Sequence, residues 1–310
     1  MYKEKNFVSA VVYVRNVQNE VKAFLDMLIG ILKGNFEHSE IICVNDCSSD
    51  KTVDEIKAVA KGTTGMTISV VNLSYFHGLE GAMTAGNNLS IGDFIFEFDS
   101  VNLDFTPDTI MRVYRKALEG YDIVSAVSDV RQSLSSSLFY WVVKTLSETS
   151  LVMKTERFRI LSRRVFNRID DMNKSVPYRK IVYSNAGLRM ASINYTGNGC
   201  NKKMDKAEEK YRVRLAVDAL LLFTDAGYRL SMTMTVTMMV LAIVMALYSV
   251  VIYVSAIPVE GWTTTILFLS VAFFGLFGVL TAIIKYLQLI MTMVFKRKQY
   301  SFESIEKLTK

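Results

Sequence analysis

The stretch Val44-Asn-Asp-Cys-Ser-Ser-Asp-Lys-Thr52 decides how this 310-residue sequence is interpreted. The apolar segment Glu40–Val44 leads into it and predicts a strand, and the segment Thr52–Ala60 that follows has helical periodicity. Between the two, Asn45 and Asp46 offer side chains that hydrogen-bond a ribose or a uracil-like ring, on a turn whose serines and final aspartate can cap the helix. A plain helix cap after a strand is the alternative, and these residues alone leave both interpretations open.

Strands and helices alternate at short spacing around this stretch. The other predicted strands are Val8–Val14, Met66–Leu73, Asp93–Phe98 and Asp122–Val127, and the other predicted helices are Val21–Leu32, Gly78–Leu89 and Asp108–Leu118. This alternation predicts an α/β fold whose mostly parallel sheet is covered by helices on both faces. Ligands of such folds bind at the carboxyl ends of the strands. At those ends the sequence places Arg15-Asn16, Asn45-Asp46 and Asp99-Ser100.

Asp99 ends an apolar strand and is followed by two further oxygen-bearing side chains, Asn102 and Asp104. A carboxylate in this position, with oxygen ligands shortly after it, can hold Mg²⁺ or Mn²⁺ against a diphosphate. Neutralising the diphosphate makes it a better leaving group. A loop that is simply rich in Asp and Asn is the alternative.

The C-terminal third of the chain is strongly apolar. The whole sequence is 51% hydrophobic and only 21% charged, with a mean hydropathy of +0.24. Residues 230–259 and 261–284 contain no Asp, Glu, Lys or Arg, and only Glu260 separates them. Each run exceeds the roughly 20 residues that cross a bilayer, so the sequence predicts a two-helix transmembrane hairpin. The composition excludes intrinsic disorder, collagen, a coiled coil and a disulfide scaffold.

The formal net charge is +6, and basic residues flank the apolar runs. The turn between the runs, Ser255 to Trp262, has no Lys or Arg, so the positive-inside rule places both ends of the hairpin in the cytoplasm. The basic excess suits anionic lipid or lipid phosphate, and no nucleic-acid motif accompanies it. Three cysteines are too few for a disulfide framework, which favours a reduced, cytosolic catalytic part.

The order of these segments resembles the inverting glycosyltransferases that load polyprenyl phosphate, the dolichol-phosphate mannose synthase and GtrB-like group. The quoted stretch is similar to that family's Val-Asp-Asp-Gly-Ser-x-Asp-x-Thr, and the resemblance covers nearly the whole chain. The other matching segments are Val8-Ser-Ala-Val-Val-Tyr-Val-Arg-Asn16, Gly78-Leu-Glu-Gly-Ala-Met-Thr-Ala-Gly86 with Gly92-Asp93, Arg157-Phe-Arg-Ile-Leu-Ser-Arg-Arg164, Lys210-Tyr211 and the terminal hairpin.

The resemblance implies a GT-A nucleotide-diphospho-sugar transferase-like domain that moves a hexose, with inversion, from a nucleotide sugar to undecaprenyl or dolichyl phosphate. It implies three groups of site residues. The donor-binding residues would be Asn16, Asn45, Asp46, Asp50 and Gly78; the catalytic residues Asp99, Arg159 and Arg163; and the acceptor-phosphate residues Lys202, Lys203 and Lys210. Asp99 and Asn102 would hold Mg²⁺ or Mn²⁺. The expected partners are the nucleotide sugar, the polyprenyl phosphate lipid and the membrane, without nucleic acid, and self-association into a homo-oligomer is left open.

These expectations divide the chain into four parts. The cytoplasmic GT-A-like domain would span residues 1–210 and an interfacial amphipathic helix residues 211–230. Two transmembrane helices would span 231–295, and a cytoplasmic tail 296–310. The protein would be integral to a membrane, expected to be the bacterial inner membrane, with its catalytic domain in the cytoplasm.

The chain departs from the family pattern on the metal and acceptor side. Asn102 replaces a charged metal ligand, Arg157 stands where the family has an acidic residue, and Asn201 and Met204 replace two arginines. Three interpretations stay open: a divergent transferase, a catalytically impaired binding or scaffold protein with the same fold, and a transferase for another acceptor.

Overall fold

The computed structural model describes most of the N-terminal part of the chain and selected later segments. These are residues 2–129, 156–171, 179–185, 187–197, Tyr211 and Arg214, single helical positions between 233 and 290, and residues 301–309. The chain divides into two compact units. The first comprises residues 1–140, 151–215 and 296–310, and the second comprises residues 141–150 and 216–295.

The first unit contains eight strands and six helices within its described residues. The strands are β1 (Val8–Val14), β2 (Ser39–Asn45), β3 (Thr67–Leu73), β4 (Phe94–Phe98), β5 (Ile123–Ser128), β6 (Glu156–Ser162), β7 (Met190–Tyr195) and β8 (Phe302–Lys307). The helices are α1 (Val21–Asn35), α2 (Thr52–Lys61), α3 (Gly78–Leu89), α4 (Asp108–Leu118), α5 (Arg163–Asp171) and α6 (Arg179–Asn185).

All eight strands join one mixed sheet in the order β7-β5-β6-β4-β1-β2-β3-β8. The four strands β3, β2, β1 and β4 are mutually parallel, and β7 is parallel to β5. Strand β6 runs antiparallel to both β4 and β5, and β8 runs antiparallel to β3. The expected parallel sheet is therefore confirmed for its first four strands, and antiparallel strands extend it on both sides.

Burial on both faces explains the composition of the central strands. All seven residues of β1 are buried, as are six of the seven in β2, which suits apolar, β-branched runs rather than alternating ones. Helix α1 presents Phe24, Leu25, Leu28 and Leu32 to the core, at helical spacing. Helix α3 covers part of the sheet at close range, because a Cβ at Gly86 would collide with Val11 and Val44.

The last described segment was expected to be a tail, but it is a strand. Residues Phe302–Lys307 form β8, which pairs with β3 through Ser69↔Lys307 to Asn72↔Ser304. Thr309 beyond it is buried, and its hydroxyl donates to the Met66 carbonyl (2.7 Å) and accepts from the Ile68 amide (2.8 Å). The end of the chain therefore completes the sheet of the first unit.

The described part of the second unit consists of helical positions between Thr233 and Ile290. A Cβ at Gly275 or Gly278 would meet Met238 or Met234, so these glycines allow close side-chain packing there. Searched over the described residues alone, the structure contains no helix with the length and apolarity of a membrane span. The transmembrane hairpin therefore stays a prediction. Of the expected interfacial helix, only Tyr211 and Arg214 are described.

Candidate functional site

The sheet order has a switch point at the carboxyl edge of its parallel half, and the space outside the strand ends there is named the crevice. The order reverses at β1, where β2 and β3 lie on one side and β4 on the other. In open α/β sheets this switch point is where ligands bind. The side chains after β1, β2 and β4 meet at this edge, as the sequence predicted.

Asp46, directly after β2, is fully buried and holds the start of α3. Its carboxylate accepts from the backbone amides of His77 (2.8 Å) and Gly78 (2.9 Å) and from the Tyr13 hydroxyl (3.1 Å). Burial raises the pKa of Asp46 above its usual value, although these hydrogen bonds and the charge of Arg15 oppose the rise. Asp46 was predicted to contact the donor. In the structure both of its carboxylate oxygens accept hydrogen bonds from protein groups, so that Asp46 anchors the loop before α3.

Asn45, the last residue of β2, is also buried, and its amide is fixed by two neighbours. Its Oδ1 accepts from the Ser48 amide (3.1 Å), and its Nδ2 donates to Oδ1 of Asn72 at the end of β3 (2.9 Å). Asn72 in turn donates to the Ser304 hydroxyl on β8 (2.8 Å). The predicted donor-site residue is therefore held in one orientation.

The loops after β1 and β2 are fastened together by Asn16 and Asp50. Asn16 adopts a positive φ of 48°, and its Oδ1 accepts from the Ser49 amide (2.9 Å). Asp50 accepts from the amide of Thr52 (3.0 Å), the first residue of α2, and from the amide of Gln18 (3.1 Å) in the loop after β1. Burial tends to raise the pKa of Asp50, but the hydrogen bonds from Thr52 and Gln18 outweigh it and hold the pKa below its usual value. Both residues lie at the predicted edge, as parts of its rim.

Gly78 begins α3 with a φ of 78°, a conformation that disfavours a side chain. The ring of Tyr211 occupies the place where a Cβ would stand, and it also packs edge-on against Phe76, with 5.7 Å between the ring centroids. The Phe76 ring also stacks against Arg15, whose guanidinium carbon is 4.3 Å from the ring centroid. The loop from β3 to α3 therefore forms an aromatic wall beside the crevice.

Asp99, after β4, belongs to a cluster of acids and guanidinium groups made of Glu80, Glu97, Asp99, Arg159 and Arg179. Arg159 donates to Oδ2 of Asp99 (2.8 Å), and Arg179 donates to Oδ1 of Asp99 (3.0 Å) and to Oε2 of Glu80 (2.8 Å). Nη1 of Arg179 is also 2.8 Å from Oε2 of Glu97. Both arginines are buried, at 1% and 3% exposure, so their charges are screened little by water.

Electrostatics fixes the protonation of this acid–guanidinium cluster. Burial raises the pKa of Asp99, but the charges of Arg159, Arg179 and Lys180 overcome it and hold the pKa below its usual value. Burial lowers the pKa of Arg159, and the carboxylates of Asp99 and Glu156 reverse the effect and raise it. Asp99 is therefore ionised and paired at neutral pH.

The arrangement does not fit the expected metal ion. Each carboxylate oxygen of Asp99 already accepts from an arginine, and two guanidinium charges repel a cation. Asn102, the other expected ligand, lies partly buried in the loop before α4. Across the residues with described positions, no three His, Cys, Asp or Glu side chains gather as a metal site. Asp99 and Asn102 are therefore assigned no role as ligands of Mg²⁺ or Mn²⁺.

Two predicted site groups need correction or fall outside the described chain. Arg163 was expected to be catalytic, but it donates to the carbonyls of Ser90 (2.9 Å) and Gly92 (2.7 Å) at the amino end of β4. Asp99 follows the other end of that strand, whose five residues alone span about 13 Å. Arg163 thus stabilises the opposite edge of the sheet. The acceptor residues Lys202, Lys203 and Lys210 lie outside the described residues.

Sequence reasoning missed four residues that shape this edge: Asn72, Glu97, Arg179 and Tyr211. Glu97 was visible as a charged residue within the apolar strand Phe94–Phe98, which is a pattern that requires a buried partner. That partner includes Tyr183, whose hydroxyl donates to Oε1 of Glu97 (2.8 Å). Arg179 gave no local pattern, and Tyr211 stood only in the Lys210-Tyr211 match, which assigned no role to its ring. Only the folded chain brings both residues to the crevice.

Curated relatives are similar over part of their length. An uncharacterised glycosyltransferase of Synechocystis is 29% identical over 192 residues, which is 60% of this chain and 59% of that protein. An uncharacterised glycosyltransferase of Bacillus subtilis is 22% identical over 72% of this chain and 70% of that one. The undecaprenyl-phosphate 4-deoxy-4-formamido-L-arabinose transferase of Serratia proteamaculans is 35% identical over 40% of this chain and 38% of its own.

Among solved structures, a mannosyltransferase of Pyrobaculum calidifontis aligns over 89% of this chain and 88% of its own, at 14% identity and a TM-score of 0.48. The family model named glycosyl transferase family 2 matches residues 9–175, more than half of the chain, and spans strands β1 to β6 and the crevice between them. This match confirms the expected GT-A-like α/β fold. The chain belongs to glycosyl transferase family 2.

Proposed function

We propose that the protein is a membrane-anchored glycosyltransferase that moves a hexose from a nucleoside-diphosphate sugar to polyprenyl phosphate, with inversion at the anomeric carbon. The observation that carries the proposal is the meeting of Asn16, Asn45 and Asp99 at the carboxyl edge of the sheet, at the switch point between β1 and β4, in a family 2 domain.

The donor end of the reaction rests on rigid groups. The nucleoside would lie against Asn45 and the loop of Asn16, whose hydrogen bonds fix both before any ligand arrives. A site that needs no rearrangement binds without the cost of ordering its side chains. Arg15 and Phe76 add a charged and an aromatic surface on the same side.

The acceptor class is suggested by the relatives whose names include undecaprenyl phosphate. A phosphate monoester has its second pKa near 6, so its oxygen is already largely ionised at neutral pH. That oxygen would attack the anomeric carbon, forming the new C–O bond as the bond to the nucleoside diphosphate breaks and the diphosphate leaves with the electron pair. Such a nucleophile makes little demand on a general base, so positioning and charge stabilisation would supply most of the rate.

Asp99 and its arginines are the groups placed to act on this chemistry. The ionised Asp99 holds the guanidinium groups of Arg159 and Arg179 at the end of β4, beside the crevice. These fixed positive charges would stabilise the diphosphate as negative charge develops on it. The role of Asp99 is then to orient two arginines.

Membrane anchoring is proposed from the sequence and supported by the second unit. The two uncharged runs are long enough to span a bilayer. At the described helical positions of that unit, large apolar side chains are exposed, among them Val240, Phe273, Leu280 and Ile290. An apolar surface of this kind marks an interface with lipid or protein. The charge distribution supports a cytoplasmic catalytic domain, and an inner-membrane location in a bacterium is part of the same proposal.

One observation favours a second candidate, a family 2 domain that binds nucleotide sugar or lipid without turnover. Arg157, in the position of the expected acidic residue, forms a 2.6 Å ion pair with the buried Asp104, and both oxygens of Asp99 are engaged. A site closed in this way could bind ligands and lack a reacting group.

The experiment is a lipid glycosylation assay on the full chain in detergent, with polyprenyl phosphate and a panel of nucleotide sugars. We expect transfer from one donor class, and a loss of at least about 100-fold in kcat for Asp99→Asn, since Arg159 and Arg179 each lose the ionised partner that holds them at the end of β4. Asp108→Asn, an exposed carboxylate at the start of α4, is the matched control and should keep full activity. Donor binding without any transfer by the native protein would select the second candidate. Equal rates in Asp99→Asn and native protein would overturn the role given to Asp99.

A further inference from the structure

The last rung of the sheet crosses three strands and ends at the candidate donor site. Asn45 on β2 is the register partner of Asn72 on β3, and Asn72 is the register partner of Ser304 on β8. Their side chains form a continuous chain in which Asn45 Nδ2 donates to Asn72 Oδ1 (2.9 Å) and Asn72 Nδ2 donates to Ser304 Oγ (2.8 Å). Residues 45, 72 and 304 thus link the end of the polypeptide to the crevice.

The direction of this chain fixes which atoms Asn45 presents. The Ser48 amide donates to Asn45 Oδ1, so the Nδ2 group must face Asn72. The Asn72 amide can accept from Asn45 only while its own Nδ2 faces away, toward Ser304. Because the hydrogen bonds of this partly buried chain polarise one another, the loss of the Ser304 hydroxyl releases the orientation of both amides.

The same end of β8 also holds the loop that Asp46 anchors. The Ser301 amide donates to Nε2 of His77 (3.0 Å), and the Ser74 amide donates to the Ser301 carbonyl (3.1 Å). His77 and Gly78 supply the two backbone amides that bind Asp46. The segment from Ser301 to Ser304 therefore contacts both the Asn45 side and the Asp46 side of the crevice.

The other end of β8 is secured independently of the crevice. Thr309 is buried and bonded to Met66 and Ile68, and Lys57 forms a 2.7 Å ion pair with Glu306 on the surface. The ordinary role of β8 is to cover the edge of β3, which an exposed strand would leave open to pairing with other chains. That role needs the backbone ladder and Thr309, and it does not need the side chains of Asn72 and Ser304.

We propose that the C-terminal strand β8 is a working part of the donor pocket, with Asn72 and Ser304 as positioning residues that orient Asn45 toward the nucleoside. This inference rests on the proposed function, since it assumes that Asn45 contacts the nucleoside of the donor. Strand β8 then contributes to donor affinity, in addition to covering the edge of β3.

The test measures nucleotide affinity and steady-state kinetics on the full-length protein in detergent. Isothermal titration with UDP and GDP identifies the nucleotide that the native protein binds. Ser304→Ala and Asn72→Ala should each raise its dissociation constant and the donor KM about fivefold to tenfold, the equivalent of one hydrogen bond. The kcat should change less than twofold, because neither side chain touches the reacting atoms.

Ser304→Thr keeps the hydroxyl and should restore native affinity, and Glu306→Ala, on the same strand, should leave affinity unchanged. Thermal unfolding of each variant separates positioning from strand docking, since a purely structural role would lower Tm while the nucleotide affinity stayed native. Native protein that binds neither nucleotide would overturn the proposed function. Native protein that binds, together with Ser304→Ala and Asn72→Ala variants that bind equally well, would overturn this inference alone.

Discussion

Arg159 on β6 stands directly opposite Glu97 on β4 in the sheet register, and both side chains are almost completely buried. The Nε of Arg159 is 3.5 Å from Oε2 of Glu97, while its Nη2 donates to Asp99, the residue that follows β4. Arg159 thus contacts two carboxylates inside the domain, and Arg179 supplies the second positive charge to the same pair. A buried charge left without its partner is costly, so this pairing governs stability as well as the site.

We expect Arg159→Met to destabilise the protein by about 3–5 kcal/mol, because Glu97 and Asp99 then share the single positive charge of Arg179 and the buried cluster keeps an uncompensated negative charge. In a domain of this size that corresponds to a fall in Tm of about 10 °C. Thermal unfolding in detergent measures it. Arg164→Met is the control, because the Arg164 side chain is 73% exposed and its ion pair with Asp122 is long, at 3.8 Å. Equal Tm values for the two variants would show that the buried pairing contributes nothing.

Asp46 and Asp50 should give pH dependences of opposite sign. The pKa of Asp50 is lowered in the folded state, so its ionisation adds stability above its unfolded pKa, and this is lost as pH falls through the folded pKa. Burial raises the pKa of Asp46, so the cost of its charge appears as pH rises through that value. The stability deficit of Asp50→Asn should therefore grow with rising pH from acid to neutral, and that of Asp46→Asn should shrink.

Denaturant titration of both variants and the native protein at a series of pH values tests these signs. Since both aspartates lie in the same segment after β2, differences from the native curve remove the titration of other groups. Deficits that run parallel for the two variants would contradict the assignment.

Gly78→Ala should lower stability by about 2–4 kcal/mol, the sum of left-handed backbone strain and a collision with the Tyr211 ring. Gly65→Ala is the matched control, because Gly65 has a similar φ of 71° and no atom within 4 Å of an added Cβ. It should cost only the strain, about 1–2 kcal/mol. Tyr211→Ala should recover part of the loss in a double variant, and strictly additive effects would argue against the contact.

Arg163→Met should weaken the fold and spare the donor site. The change removes hydrogen bonds to the Ser90 and Gly92 carbonyls, at a cost of about 1–3 kcal/mol. Since those carbonyls lie at the opposite edge of the sheet, the nucleotide dissociation constant should stay within twofold of the native value. A large rise in the nucleotide dissociation constant, with Tm unchanged, would instead show that Arg163 acts in the donor site.

Divalent metal should bind poorly to the nucleotide-free protein, because Arg159 and Arg179 occupy the oxygens of Asp99. Titration with Mn²⁺ should show no saturable binding below about 1 mM. Arg179→Met should increase the affinity, since Asp99, Glu97 and Glu80 each lose a guanidinium partner. Tight binding to the native protein, unchanged by the variant, would mean that another set of residues holds the ion.

Much of the parallel half of the fold was predictable from local pattern. The predicted helix Val21–Leu32 corresponds to α1, Val21–Asn35, and the predicted strands place β1 to β5 within one or two residues. Periodicity suffices there because each element buries a face that its own sequence defines. The strands β6, β7 and β8 were not predicted, since each is fixed by its partners in the sheet.

The sequence by itself determined which residues end the parallel strands and therefore which side chains, Asn16, Asn45, Asp46 and Asp99, gather at one edge. Tertiary structure alone decided what those side chains do. In the folded chain the carboxylate of Asp99 pairs with Arg159 and Arg179. Arg163 lies at the opposite edge of the sheet, and Ser304 of β8 contacts Asn72 of β3. The physical reason is that the residue type fixes the charge and the hydrogen-bonding atoms of a side chain. Its partner, however, depends on strand pairing between residues that lie far apart in the chain.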